Sequence, residues 1–133
     1  MNNESQFKFD RVMIIDDTQE DLYITSHVIT RSCYGRDVIK FDLATDALKY
    51  LIENNSNTSL LPQAMFVDIF MPIMNGFEFL EEYEILQEKY NFNCEVYVLS
   101  SSFDSRDINK AKSYKNVKNF IEKPLRKEAL LAM

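Results

Sequence analysis

Val12-Met13-Ile14-Ile15 runs straight into Asp16-Asp17, and this short stretch decides how the rest of the chain is read. Four consecutive apolar residues, two of them Ile and one Val, form a strand with both faces buried. It stops at two acids that cannot be buried without partners. Downstream the same grammar repeats. Ala64-Met65-Phe66-Val67 ends at Asp68, and Val96-Tyr97-Val98-Leu99 ends in Ser100-Ser101-Ser102. Two further strands are broken by polar residues, Asp37 to Asp42 and Val117 to Glu122, the latter followed by Lys123-Pro124.

Between the strands the period changes to that of helices. Thr18, with Asp21 three residues on, reads as a capping-box variant that opens a helix to about Arg31. Ala44, Ala47, Leu48, Leu51 and Ile52 recur at amphipathic spacing. Asn54 to Ser59 is an uninterrupted polar loop, and helices follow from near Gly76 to about Tyr90 and from Ser105 to Tyr114, with Ile108 and Ala111 inward. A short last helix reaches the terminus.

Fivefold β–α alternation implies an α/β domain: a parallel sheet with helices on both faces. The continuous apolar runs of strands one, three and four place them centrally, and the interrupted strands two and five belong at the edges. With right-handed crossovers this gives the doubly wound, flavodoxin-like order 2-1-3-4-5. Ligands in such sheets bind beyond the carboxyl ends of the strands where the order reverses. Asp16, Asp17 and Asp68 converge there.

Composition bounds the alternatives. The chain has 133 residues, 46% of them hydrophobic, consistent with one ordinary core over residues 1–133 behind an N-terminal tail over 1–9. The net charge of −6 argues against a nucleic-acid binder. No apolar run approaches the ~18 residues of a membrane span. Nothing at Met1 to Gln6 suggests export, so a cytoplasmic location is expected. Cys33 and Cys94 read as free thiols. With two glycines there is no phosphate-cradling Gly-rich loop. The short last helix is compatible with a truncated C-terminus as well as a natural one.

Clustered carboxylates raise one another's pKa unless a cation neutralises them. Oxygen ligands select Mg²⁺, Mn²⁺ or Ca²⁺. Any one of the three acids taken alone is more simply a helix cap; together they favour a metal. Ser100 alone is a turn residue and Lys123 alone a surface lysine. Joined to the acids, they complete a phosphoryl-handling set in which one carboxylate can form an acyl phosphate.

Asp16-Asp17, the segment Asp68-Ile69-Phe70-Met71-Pro72-Ile73-Met74-Asn75-Gly76, Leu99-Ser100 and Lys123-Pro124 together resemble the receiver domain of bacterial response regulators, of the stand-alone, chemotaxis-regulator-like kind. The resemblance implies that Asp68 accepts a phosphoryl group from a histidine kinase or histidine phosphotransfer protein. It implies Mg²⁺, or Mn²⁺, held by Asp17 directly, by Asp16 through water, by Asp68 and by the main-chain carbonyl of Phe70. Ser100 matches the switch hydroxyl, Lys123 the lysine that pairs with the phosphoryl group, and Phe120 the aromatic that turns inward on activation. Phe70 and Ser102 occupy the positions that tune dephosphorylation. Gly76 and Pro72 are expected to shape the loop through φ, since Gly permits positive values and Pro fixes its own. A Gly common before the fifth strand is replaced by Lys115-Asn116, where Asn can adopt the left-handed conformation.

Such a domain is a switch rather than an enzyme with its own turnover substrate. The rivals are a pseudo-receiver that binds without phosphorylation, a haloacid-dehalogenase-like phosphatase, which wants D-x-D at its nucleophile, and a flavodoxin-like electron carrier, whose phosphate loop Asp16-Asp17 would repel. His27 reads as an ordinary helix residue, Phe77, Leu80 and Tyr83 as core, and Glu78, Glu81, Glu82, Glu84 and Glu88 as a solvated face. From Asp104 to Glu128, eight Lys or Arg face four Asp or Glu, a local +4 that leaves −10 for the remainder. That basic segment is where the resemblance puts the output face, so an acidic output partner is expected there. A homodimer is compatible with the sequence, and no direct nucleic-acid or membrane partner is expected.

Overall fold

The computed structural model describes residues 6–102 and 104–133. Its elements alternate as β1 (Phe9–Ile15), α1 (Gln19–Arg31), β2 (Gly35–Phe41), α2 (Ala44–Glu53), β3 (Ala64–Val67), α3 (Gly76–Tyr90), β4 (Glu95–Ser100), α4 (Ser105–Ser113), β5 (Val117–Glu122) and α5 (Lys127–Leu131). All strand pairings are parallel and the order is β2-β1-β3-β4-β5. Polarity along the strands accounts for this order. β3 is buried at every position and β4 at all but its first, whereas β2 and β5 are largely open and take the edges.

Alternate residues of the central strands feed two cores. Met13, Ile15, Met65, Val67, Val96 and Val98 meet Ala47 and Leu51 of α2, Phe79, Leu80 and Tyr83 of α3, and Ala111 of α4. Val12, Ile14, Phe66, Tyr97 and Leu99 meet Leu22 and Ile29 of α1 and Leu130 of α5. The period of two thus assigns each helix layer its own set of strand residues. Ile108, by contrast, is only half-buried.

Several local expectations are corrected. β1 starts at Phe9, so the N-terminal tail ends before it. The Phe9 N–H donates to Tyr34 O, and the two rings pack edge-on at 5.3 Å. The first five residues of that tail lie outside the described residues. Thr18 precedes α1 with extended backbone but caps nothing with its side chain. Its hydroxyl and its N–H are both spent on Asp16 Oδ1, each at 3.1 Å, and Asp21 is taken by Lys123. The capping box forms instead on α3, where Asn75 Oδ1 accepts from Glu78 N–H and Glu78 Oε1 from Asn75 N–H. Asn116 does not adopt positive φ, and the Tyr114 carbonyl accepts from Val117 N–H to close that turn. Cys33 and Cys94 are free thiols.

Candidate functional site

The sheet's hydrogen-bond ladder continues past the strand ends and fixes the site residues by their backbones. Asp16 N–H donates to Phe41 O at 3.0 Å, Asp68 N–H to Ile15 O at 2.9 Å, and Lys123 N–H to Ser100 O at 2.9 Å. Each side chain therefore leaves an already paired main chain, which is what orients a site within fractions of an ångström. Asp16, Asp68 and Ser100 are buried, while Asp17 is exposed at the rim.

One carboxylate oxygen from each of Asp16, Asp17 and Asp68 lies within 4.8 Å of the others. Against them stands the ammonium of Lys123, 2.6 Å from Asp16 Oδ2, 2.9 Å from Asp21 Oδ2 and 3.1 Å from Asp68 Oδ2. Asp68 Oδ1 also accepts from Ile69 N–H at 2.8 Å. Four carboxylates around one ammonium leave a local excess of negative charge in a partly dry pocket. Burial pushes the Asp68 carboxyl above its usual range, only partly opposed by Lys123, and Asp16 adds to the rise. Burial works against the charge on Lys123, yet its hydrogen bonds to Asp16 and Asp21 prevail and hold its pKa above that of a free lysine. The hydrogen bond from Lys123 keeps Asp21 below the usual carboxylate range. This donor set of oxygens with unbalanced charge fits a hard divalent cation.

The loop after Asp68 carries a second device. Met74 N–H donates to Pro72 O at 2.8 Å, closing a γ-turn on Ile73, whose φ is 70°. That value is unfavourable for a β-branched residue. Ile73 and Phe70 project into solvent, 81% and 58% exposed. Gly76 does not use positive φ, contrary to the expectation from sequence. It is needed for closeness: a Cβ there would lie 2.2 Å from Asp68 O and 2.8 Å from Ile69 Cα. Its N–H donates to Ile69 O at 2.8 Å, so the start of α3 is clamped against the main chain of Asp68 and Ile69.

Ser100 Oγ accepts from Ser102 N–H at 3.3 Å. Ser102 Oγ donates to Asp107 Oδ2 at 2.8 Å and accepts from Asp104 N–H, so its hydroxyl is committed to the start of α4. Phe120 is half-buried against the core. The residue missed from sequence is Asp21. It is an acid in the first turn of α1, directly after the strand end that carries Asp16 and Asp17, and that position at the carboxyl edge of the sheet was the available signal.

The family model for the response regulator receiver domain matches residues 12–133. The chain belongs to the response regulator receiver family. Among solved structures, this receiver is similar to a two-component response regulator from Cytophaga hutchinsonii, with 27% identity over 92% of each chain and a TM-score of 0.84. It is also similar to a response regulator receiver protein from Dyadobacter fermentans, with 28% identity over 92% of this chain and 95% of that one and a TM-score of 0.76. The chemotaxis response regulator CheY4 of Vibrio cholerae shares the fold at 22% identity over 93% of this chain and 94% of that one, TM-score 0.72. No curated protein gives a significant sequence match. The chain is thus a receiver domain of two-component systems, with an acidic cluster able to hold a metal.

Proposed function

We propose that the chain is a phosphorylation switch with Asp68 as acceptor. The observation that carries this is the Lys123 ammonium bridging Asp68 and Asp16 beside three mutually close carboxylates at one sheet edge. A carboxylate oxygen of Asp68 attacks the phosphorus of a phosphohistidine on a histidine kinase or histidine phosphotransfer protein. The O–P bond forms as the N–P bond breaks. The imidazole nitrogen keeps the electron pair and takes a proton from solvent, leaving an acyl phosphate on Asp68. Lys123 supplies a fixed positive charge to the phosphoryl oxygens, and the buried Ser100 hydroxyl donates to one of them.

Asp16, Asp17, Asp68 and the Phe70 carbonyl would hold Mg²⁺, or Mn²⁺, and such an ion, when bound, offsets negative charge on the phosphoryl group. Drawing Ser100 toward the acyl phosphate leaves room for Phe120, half-buried on the edge strand β5, to turn further inward. That movement biases a pre-existing equilibrium, and a partner protein reads the outcome. We take residues 1–133 as a single receiver unit acting in the cytoplasm without turnover of a separate substrate. No helix among the described residues is long and apolar enough to cross a membrane. Output is assigned to the face of α4, β5 and α5, whose lysines suit an acidic partner. Charge reversal at Lys110 and Lys112 should weaken its docking in a pull-down, and unchanged docking would refute that assignment.

The deciding experiment is incubation with Mg²⁺ and acetyl phosphate followed by intact-mass measurement. The native chain should gain one phosphoryl group and Asp68→Ala should not. Absence of the adduct from both would move the chain to the phosphorylation-independent class of receivers, and repeated turnover of a phosphate ester would make it a phosphatase.

A further inference from the structure

The Lys123 ammonium has three N–H donors and faces three carboxylate oxygens, on Asp16, Asp21 and Asp68, all within 3.1 Å. It has no donor to spare. A phosphoryl group forming on Asp68 takes the donor that Asp68 gives up as its carboxylate becomes an acyl phosphate, and a second donor has to be drawn from Asp16 or Asp21. These two differ in what release would cost. The Asp16 side chain is only 2% exposed, so freeing it leaves a poorly hydrated carboxylate. The Asp21 side chain is 37% exposed and can turn to water.

Resting on the phosphoacceptor reading above, we propose that Asp21 is a positioning residue that competes with the phosphoryl group for Lys123. In the resting protein it satisfies the ammonium and tethers it toward α1. On phosphorylation, beyond the contact that Asp68 itself gives up, its hydrogen bond is the one released, so part of the affinity for the phosphoryl group is spent on breaking it. Asp21 thereby weakens the grip on the acyl phosphate without touching the reacting atoms.

The test is a ¹⁹F NMR titration of beryllofluoride, a phosphoryl mimic, at saturating Mg²⁺. Asp21→Ala should bind about two- to fivefold more tightly than the native chain, the range of a partly exposed ion pair. Asp21→Glu, which keeps the carboxylate, should restore the native affinity. In a Lys123→Met background Asp21→Ala should change nothing, because the competition runs through the ammonium. In EDTA, Asp21→Ala should shift the side-chain NMR resonances of Lys123, a signature independent of any bound metal.

Equal or weaker binding by Asp21→Ala would overturn the competition while leaving the acceptor reading intact. So would the same tightening in Lys123→Met, which would mark a general charge effect on an anion. A native chain that takes up no beryllofluoride would overturn the acceptor reading and this inference together.

Discussion

Gly76→Ala provides the sharpest test of how Asp68 is held. The added Cβ would sit 2.2 Å from Asp68 O, where ordinary contact begins at 3.4 Å, so something must move by more than an ångström. The obstacles are main-chain atoms of Asp68 and Ile69, and no side-chain rotation relieves them. Those atoms are pinned by Asp68 N–H to Ile15 O and by Gly76 N–H to Ile69 O. Overpacking costs about 1–3 kcal/mol, and a rigid backbone obstacle puts this case near the upper end. Working the other way, Ala in place of Gly at a helical position gains roughly 0.5–1 kcal/mol. The clash wins by about 2 kcal/mol, which lowers Tm by roughly 6–10 °C for a domain of this size. Thermal melts by circular dichroism in EDTA measure this directly. Gly35→Ala is the control, because its nearest contacts are methyl groups of Val12 and Ile29, and its loss should be smaller. On the proposed function, labelling of Asp68 by acetyl phosphate should also slow in Gly76→Ala, since the main chain of Asp68 is displaced. A Gly76→Ala melting point within about 2 °C of the native chain, which is under 1 kcal/mol on the same scale, would refute the reasoning.

Ile73→Gly should behave in the opposite sense. Relief of about 1–3 kcal/mol of strain at φ 70° exceeds the ~0.5–1 kcal/mol entropic cost of glycine, and the exposed side chain gives up little burial. The urea midpoint should rise, and a fall would show that Ile73 makes stabilising contacts. For Asp68→Asn the sign follows from linkage. The folded-state pKa of Asp68 is raised, so its favourable contribution is full below the unfolded value of ~3.9 and is lost as pH rises through the folded value. In EDTA the melting advantage of Asp68→Asn over the native chain should therefore grow between about pH 3 and pH 7. A pH-independent difference would show that Lys123 fully offsets the burial. Phe70→Asn should shorten the life of labelled phosphate on Asp68, because a bulky apolar side chain cannot orient water by hydrogen bonding, and Ser102 is committed to Asp107 and Asp104. Equal loss rates would remove Phe70 from that role.

The sheet was legible because burial writes itself into strand composition. Val12 to Ile15, Ala64 to Val67 and Val96 to Leu99 must be central, and the polar breaks in β2 and β5 must be marginal. From that order alone Asp16, Asp17 and Asp68 fall together at the switch point. Caps were harder to read. Thr18 and Asn75 both carry capping chemistry, but the Thr18 hydroxyl is spent on Asp16 whereas Asn75 Oδ1 accepts from Glu78 N–H.

Sequence by itself determined the alternation, the strand order and which residue types meet at the carboxyl edge, because these depend on periodicity and polarity that any compact arrangement must respect. Tertiary structure alone decided that Lys123 would be shared by three acids, that Asp21 would be one of them, and that Gly76 serves close approach rather than a left-handed turn. Those outcomes turn on distances of about an ångström between segments far apart in the chain, which no local pattern encodes.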